Sequence, residues 1–173
     1  MLGKDYEGQD CSLARALELV GERWTLLIIR DAFYGVRRFS DFAIHLDIPR
    51  AVLSDRLNGL VEEGLMVRHP DPEHGSRDLY ELTPDARELW PALHALMSWG
   101  KRYRARRGKP RAFLHAPCGT PLDDMSACPE CHVTPRAGDV LTVGAPKPFR
   151  DDPVSLALQP ERHLLDPLQV AGR

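Results

Sequence analysis

Four residues in the last third of this 173-residue chain have the types and the spacing of a metal site. His115 and Cys118 form one pair with two residues between them, and Cys128 and Cys131 form a second pair with the same spacing. Two such pairs joined by a short loop are typical of a zinc ribbon, because Zn²⁺ favours thiolate and imidazole ligands in a tetrahedron. The sequence therefore predicts a structural zinc ion held by these four residues.

Other interpretations of this segment remain open. His132 could replace His115 as the fourth ligand, although an adjacent cysteine and histidine rarely bind one ion comfortably. The segment could also be a ribbon that has lost its metal, or Cys128 and Cys131 could act as a dithiol. A catalytic zinc is not expected, because four protein ligands close the site and no carboxylate is placed as a general base.

A further cysteine, Cys11, stands just before a predicted helix that begins at Ser12. Backbone N–H groups at a helix start lower the pKa of a thiol; Arg15, one turn on, would add to this effect and Asp10 would oppose it. Cys11 is therefore a candidate redox sensor, and the alternative is a small, half-buried residue at a subunit interface. With a polar, acidic start and no signal-peptide core, the four cysteines are expected to be thiols or metal ligands.

The composition predicts a folded, soluble, cytoplasmic protein. Hydrophobic residues make up 43% and charged residues 28% of the chain, and no apolar run approaches the roughly 20 residues of a membrane-spanning helix. The net charge of −2, from 23 basic and 25 acidic residues, excludes binding to nucleic acid through bulk positive charge but allows a local basic face. No enzyme is expected, because no glycine-rich phosphate loop, nucleophile elbow or paired carboxylate arrangement stands out.

The elements that position these residues fall into three regions. They are a helical domain over 1–109, a short Cys/His module over 110–143 and a proline-rich, loosely ordered tail over 144–173. Ten of the 15 prolines lie from Pro110 onward, so only the front region can form long helices. In the tail, a short turn carrying Leu164, Leu165 and Leu168 could dock on the rest of the chain.

Within the front region, apolar periodicity and turn residues predict a definite order of elements. They are helices over 12–20, 24–34, 40–46 and 49–63, strands over 65–69 and 78–82, and a long helix from the Thr83-Pro84 cap to about Arg107. Gly21, Gly35 and Gly64 are expected to end helices. This is the order of a winged helix-turn-helix with a long dimerisation helix, and the predicted fold class is mainly α (α+β).

Short blocks of sequence over about residues 11–104 occur in a specific order. They are CSLARAL from Cys11, GERWTLLIIRD from Gly21, RFSDF from Arg38, VLSDRL from Val52, EEGLMVR from Glu62, YELTP from Tyr80, and Trp99-Gly100. In this order they resemble the HxlR family of bacterial winged-helix transcription regulators, here with a zinc-ribbon-like extension. The resemblance implies a regulator, expected to be a repressor, that binds double-stranded DNA as a homodimer built from the first and the long closing helices. Two recognition helices would enter successive major grooves about one helical turn apart at a roughly palindromic operator.

The resemblance also gives roles to single residues. Arg56 matches a family position for which we expect a phosphate contact, and Arg77 matches a basic position of the family's wing. Some family members sense oxidants through a cysteine placed as Cys11 is. The full set of candidate DNA-contacting residues is Arg37, Arg38, Arg50, Ala51, Ser54, Asp55, Arg56, His74, Ser76 and Arg77.

Among these candidates, Arg50 could grip a guanine with two hydrogen bonds, which discriminates by roughly 1–3 kcal/mol. Asp71 and Glu73, in the same loop as Arg77, would repel phosphate. Periodicity alone also allows a solvated helix face and ordinary surface arginines, and the resemblance favours DNA contact. Two other functions stay open: a redox or metal sensor with DNA release as its output, and a winged-helix protein-interaction module without DNA binding.

Overall fold

A computed structural model describes residues 6, 8–73, 75–104, 111–145 and 150–171 of the chain. The helices are α1 (Ser12–Val20), α2 (Thr25–Phe33), α3 (Phe39–Leu46), α4 (Arg50–Glu62), α5 (Pro84–Arg87), α6 (Trp90–Arg104) and α7 (Pro153–Ala157). The strands are β1 (Met66–Pro70), β2 (Asp78–Leu82), β3 (Ala112–His115), β4 (Val140–Val143) and β5 (Arg162–His163). Among these residues no helix combines the length and the apolar character that a membrane crossing requires. The fold is mainly helical with two small sheets, which confirms the predicted class.

The helices of the front region pack around one core, and α4 is followed by a β-hairpin. At the end of α4, Gly64 adopts a left-handed conformation with φ of 68°. The Leu65 N–H donates to the Leu60 carbonyl at 2.9 Å and the Gly64 N–H donates to the Val61 carbonyl at 3.1 Å. This pair of bonds is a Schellman motif, which ends the helix as predicted and turns the chain into β1. β1 and β2 then pair antiparallel, with Met66 opposite Leu82.

The helix that follows the hairpin differs from the prediction. Thr83 caps α5 as expected, since its hydroxyl oxygen accepts a hydrogen bond from the Ala86 N–H at 3.3 Å. However, α5 ends at Arg87 and a separate helix, α6, starts at Trp90. Pro91 explains the break, because it has no N–H for the Arg87 carbonyl and its ring would clash there. The prediction of one continuous helix is therefore wrong, and residues 105–107 lie outside the described part of the chain.

The C-terminal region packs directly on the helical core. β3, β4 and β5 form an antiparallel sheet in that order. Phe113 of β3 lies with its ring 5.1 Å from the Trp90 ring and 6.3 Å from the Tyr34 ring, measured between centroids. The aromatic side chains therefore join the C-terminal sheet to α2 and α6 through one continuous core.

The tail is ordered over residues 150–171, where the sequence predicted a loosely ordered segment. Val154, Leu158 and Leu164 are each at most 1% exposed. The Leu165 N–H donates to the Phe33 carbonyl at 2.7 Å, and the Leu168 N–H donates to the carbonyl of Gly35 at 2.9 Å. The sequence had indicated that Leu164, Leu165 and Leu168 could dock in this way. The sparse apolar residues before them, such as Val154 and Leu158, gave too weak a pattern to predict the rest of the segment.

Gly35 makes this close approach of the tail possible. Its φ is 86°, a left-handed conformation that glycine adopts without strain. A Cβ at this position would overlap the backbone carbonyl of Asp166. Gly35 therefore ends α2, as predicted, and also leaves the space that the tail occupies.

We expect Gly35→Ala to lower the free energy of unfolding by roughly 1–3 kcal/mol, because the new methyl group displaces the tail and strains the backbone. Urea unfolding followed by circular dichroism measures this change. Gly59→Ala is the matched control, since Gly59 lies inside α4 and a Cβ there meets nothing within 4 Å. The control should be stabilised by up to about 1 kcal/mol. Equal effects of the two substitutions would contradict the role given to Gly35.

Candidate DNA interface and metal centre

The exposed face of α4 carries the four candidates for base contact. Its inner stripe of Leu53, Leu57 and Leu60 is at most 3% exposed and holds the helix on the core. The candidates on the outer side, all exposed, are Arg50, Ala51, Ser54 and Asp55. They lie in the first half of the helix, the part that reaches base edges when such a helix enters a major groove.

Arg50 is the basic residue among these four candidates. Its guanidinium lies over the Phe39 ring, 5.4 Å from the centroid. It forms no hydrogen bond or ion pair with a described residue, and the residue is exposed. A guanidinium fork in this state matches the two acceptors of a guanine edge.

Arg56 lies in different surroundings on the same helix. Its Nη2 atom is 3.3 Å from Asp55 Oδ2 and 3.5 Å from Glu22 Oε1, and its Nε is buried without a hydrogen-bond partner. These contacts tie α4 to the connection between α1 and α2. The side chain positions the helix, and only a minor part of it is open to a phosphate.

The wing is held at its base by Arg38, a role that the sequence did not indicate. Arg38 Nε is 3.2 Å from Asp71 Oδ2, and Arg38 Nη2 is 3.1 Å from Glu73 Oε2. The predicted repulsion between these carboxylates and phosphate is therefore offset by a cation that contacts both. The only signal available in the sequence was opposite charge, since Asp71 and Glu73 follow Arg38 by 33 and 35 positions.

Arg37 and the wing tip complete the set of candidates. Arg37 Nη1 is 2.8 Å from Glu81 Oε1, and its Nη2 donates to the Leu165 carbonyl at 3.3 Å. Ser76 and Arg77 are exposed between β1 and β2, and the Arg77 side chain contacts no charged group in the described part of the chain. His74 lies outside the described residues. The structure thus separates arginines engaged inside the protein from arginines free to meet a ligand.

The four predicted metal ligands come together in the folded chain. The ligand atoms of His115, Cys118, Cys128 and Cys131 all lie within 4.8 Å of one another. Cys118 Sγ is 3.3 Å from His115 Nδ1 and 3.5 Å from Cys128 Sγ. Zinc–sulfur bonds of about 2.3 Å in a tetrahedron put sulfur atoms about 3.8 Å apart, so this group fits one zinc ion.

Two similar loops shape the group. In the first, the His115 carbonyl accepts hydrogen bonds from the N–H groups of Cys118 and Gly119, at 3.2 and 2.7 Å. In the second, the Cys128 carbonyl accepts from the His132 N–H at 2.9 Å. Gly119 and His132 both adopt left-handed conformations, with φ of 70° and 55°. His132 therefore occupies the turn position of its loop, and the group of four contains His115 in its place.

Hydrogen bonds to sulfur prepare this group for a cation. The Cys131 N–H donates to Cys128 Sγ, with the two atoms 3.4 Å apart. A hydrogen bond from Thr120 lowers the pKa of Cys118 to about 6, while the neighbouring sulfur of Cys118 raises the pKa of Cys131 to about 11. Ionisation of Cys118 thus opposes ionisation of Cys131, and a bound cation would stabilise both as thiolates.

Cys11 is exposed at the N-cap position of α1, one residue before the predicted cap Ser12. The backbone N–H groups of Ala14 and Leu13 lower the pKa of its thiol. The expected help from Arg15 is not found, because its Nη1 lies 3.0 Å from Glu18 Oε1 and its Nη2 donates to backbone carbonyls. Helix-end N–H groups alone therefore favour the thiolate.

Two helices expose apolar side chains that the single chain leaves uncovered. On α6 these residues are Leu96, Trp99 and Tyr103, each about half exposed. On α1 they are Leu13 and Leu17, which are 64% and 40% exposed. Contiguous exposed apolar surface of this kind usually marks a contact with another molecule.

Comparisons with known proteins find relatives for most of the chain. Residues 19–108 match the family described as HxlR-like helix-turn-helix. An HTH-type transcriptional regulator of Mycobacterium tuberculosis is 46% identical over 145 residues, which cover 79% of this chain and 90% of the relative, and one of Mycobacterium bovis gives the same values. The crystal structure of PA1607 has a TM-score of 0.53 and 37% identity, over 68% of this chain and 92% of that chain. The structure of the redox regulator HypR in its oxidised form has a TM-score of 0.50 and 25% identity, over 56% of this chain and 100% of that chain.

Proposed function

The chain belongs to the HxlR-like helix-turn-helix family, and we propose that this DNA-binding transcription regulator is a repressor that binds a roughly palindromic operator as a homodimer. In this proposal α4 enters the major groove and the wing follows the neighbouring backbone or minor groove. The observation that carries it is the outer face of α4, where Arg50 is unpaired beside Ala51 and Ser54 on a helix anchored by a buried leucine stripe. We assign the chain no catalytic activity.

In this proposal the arginines have two different roles in DNA binding. Arg50 reads a base edge, and Arg77 at the wing tip contacts phosphate or the minor groove. Arg37, Arg38 and Arg56 are engaged with carboxylates inside the protein and act mainly by holding the wing and α4 in place. A chain with a net charge of −2 can bind DNA in this way because a few exposed cations, here Arg50 and Arg77, meet the DNA locally.

The exposed apolar residues of α1 and α6 support a dimer. In an isologous contact, Leu13 and Leu17 of each chain would pack against Trp99 and Tyr103 of the other chain. Both sets of apolar side chains would then be buried. Such a two-fold axis relates the two α4 helices, and an operator with two similar half-sites matches that symmetry.

For DNA recognition, we expect selection from random double-stranded DNA to enrich a palindrome with half-sites about one helical turn apart. Arg50→Ala should relax the preference at one position of each half-site and cost roughly 1–3 kcal/mol on the selected operator. Arg77→Ala should weaken binding to all sequences alike and reduce the salt dependence of the affinity. Fluorescence anisotropy at several salt concentrations measures these effects.

Arg136→Ala serves as the control for that experiment, because Arg136 is exposed on the C-terminal region, away from α4 and the wing in sequence. It should leave the affinity unchanged. Identical behaviour of Arg50→Ala and Arg77→Ala would contradict the division between base and phosphate contacts. No enrichment at low salt with reduced thiols would favour a protein-interaction module.

For the dimer, we expect sedimentation equilibrium of the unmodified protein to give twice the 19.5 kDa chain mass. Trp99→Glu should shift the protein to monomers at micromolar concentration, because a buried unpaired charge opposes association. Leu156→Glu is the matched control, since Leu156 is 50% exposed on α7, close to the 51% of Trp99. A dimer that tolerates Trp99→Glu as well as Leu156→Glu would show that α6 does not form the interface.

We also propose that His115, Cys118, Cys128 and Cys131 hold a structural Zn²⁺. The close group of ligand atoms and the amide N–H donated to Cys128 Sγ support it. Four protein ligands leave no open position, so the ion would link the end of β3 to the loop at 128–131 and would not do catalysis. A metal staple of this kind explains how a short module keeps a defined shape.

Metal content tests this assignment in protein purified without an affinity tag. Elemental mass spectrometry should find about one zinc per chain, and Cys128→Ser should lose most of it because one of four bonds is removed. Cys11→Ser is the control and should keep the zinc, as Cys11 is not part of the group. Equal zinc content in Cys128→Ser and Cys11→Ser protein would refute the site.

A second candidate function, redox sensing at Cys11, rests on a specific observation. The thiol is exposed and its pKa is lowered by helix-end N–H groups, which favours the thiolate that reacts with oxidants. The likeness to the redox regulator HypR agrees with such a role. Because Cys11 begins α1, its oxidation would act on the proposed dimer contact and through it on operator binding.

A further inference from the structure

A cavity of about 280 Å³ lies between α6 and the C-terminal sheet. None of the described residues that line it belongs to α4, to the wing or to the metal ligands. Its size is just below the lower limit of about 300 Å³ for pockets that hold drug-sized ligands. It therefore suits a smaller ligand, such as a single ring system with one polar group.

One side of the cavity is formed by aromatic side chains and Met97. The rings of Tyr34 and Phe113 are nearly parallel, with an angle of 22° between their planes. The His94 ring meets Phe113 edge-on, with centroids 5.1 Å apart. Met97 completes this side, and its sulfur accepts a hydrogen bond from the Tyr34 hydroxyl at 3.6 Å. Such walls favour a planar aromatic group over a flexible chain.

Two of the polar residues that line the cavity are cations, Lys101 and Arg111. Arg111 lies over the Tyr34 ring at 4.8 Å from the centroid and donates to Thr142 Oγ1 at 3.2 Å and to the Leu158 carbonyl at 2.9 Å, which uses only part of its five N–H groups. Lys101 stands at the rim, exposed, without an ion pair to a described residue. The Asp124 carboxylate also lines the cavity, but it is paired with Arg102. The net charge offered to a ligand is therefore positive.

His94 adds a buried polar atom that lacks a partner. The residue is 5% exposed, and its Nδ1 forms no hydrogen bond with any described residue. Burial lowers the pKa of His94, so the imidazole is neutral at pH 7. Buried polar atoms in native proteins are nearly always hydrogen-bonded, and an unpaired one in a cavity wall points to a ligand.

The position of the cavity on α6 gives it a connection to the proposed dimer. His94, Met97 and Lys101 follow one side of the helix, since residues three or four apart are neighbours. At 100° per residue, Trp99 and Tyr103 lie on the opposite side. A group bound in the cavity therefore contacts the same helix whose other face would meet the partner chain.

We propose that this cavity binds a small aromatic carboxylate. The ring lies against Tyr34, Phe113 and Met97, and the carboxylate accepts hydrogen bonds from Lys101 and Arg111. The ligand acts as an effector, because it alters the packing of α6 between the C-terminal sheet and the dimer contact. The effector role rests on the proposed function, whereas binding itself does not require DNA.

The binding experiment uses the full-length, metal-loaded protein without DNA. Isothermal titration with benzoate, phenylacetate and indole-3-acetate, up to about 10 mM, is compared with titration of the corresponding neutral amides. At least one carboxylate should bind at one site per chain, and its amide should bind about tenfold more weakly because the charge-assisted hydrogen bonds are lost. Absence of binding by all three carboxylates, or equal binding of acid and amide, overturns the proposal.

Two variants place the binding in this cavity. Lys101→Gln should weaken the carboxylate about tenfold and leave the amide unchanged. Ser98→Phe should abolish binding of both by filling the space, since Ser98 lines the cavity. Arg104→Gln is the matched control on the same helix, as its guanidinium lies over the Trp99 ring and away from the cavity. A carboxylate that binds equally well to all four proteins occupies another place, which refutes the assignment.

A separate measurement tests the effector role. The carboxylate that binds should change operator affinity in the unmodified protein and leave it unchanged in Ser98→Phe. If the titration shows binding while operator affinity stays constant, the effector role is wrong and the site stands. If the protein binds no operator at all, the proposed function fails, and the titration alone still decides whether the site exists.

Discussion

The packing of Trp90 against two phenylalanines is the contact on which the rest of the structure depends. Trp90 is wholly buried at the start of α6, with its ring 5.4 Å from Phe33 of α2 and 5.1 Å from Phe113 of β3. Large aromatic side chains dominate the free energy of a core of this size. This one cluster joins the helix-turn-helix to the C-terminal sheet, so the two cannot move independently without exposing it.

Electrostatic pairing decides which side-chain charges of this slightly negative chain are engaged within the protein and which stay exposed. Arg38 forms ion pairs with Asp71 and Glu73, the two carboxylates of the wing that would otherwise repel the phosphates of DNA. Asp71 is 1% exposed, and a buried carboxylate of this kind requires a partner. The acidic residues of the wing therefore shape the loop, while Arg50 and Arg77 stay exposed for the proposed contact with DNA.

Local signals in the sequence were enough to predict most of the fold. Helix α1 has the predicted bounds, and Gly64 ends α4 in the predicted manner, because apolar periodicity and glycine act within a few residues. The group of four candidate metal ligands was identified for the same reason, since their two loops are short. The break before Trp90 carried a local signal too, in Pro91, but the long apolar stripe outweighed it.

What the sequence could not show depends on contacts between distant residues. Arg38 pairs with carboxylates that lie more than 30 positions later in the sequence. The Leu165 N–H donates to the carbonyl of Phe33, which lies far earlier in the chain. The packing of α7 and the cavity at His94 both arise from such contacts, and no periodicity records them; only the docking of Leu164, Leu165 and Leu168 could be anticipated. Residues that seemed free in the sequence, such as Arg37 and Arg56, prove to be engaged once the fold brings their partners near.

Strand β3 links the proposed metal site to the proposed effector site by simple geometry. Phe113 and His115 are two positions apart, so their side chains lie on the same face of the strand, and both are buried. His115 belongs to the group of metal ligands, while Phe113 contacts Trp90 and forms a wall of the cavity. An ion bound at His115 would therefore also restrain Phe113 at the wall of the cavity. The proposed metal site and the proposed effector site are thus joined through alternate residues of a single four-residue strand.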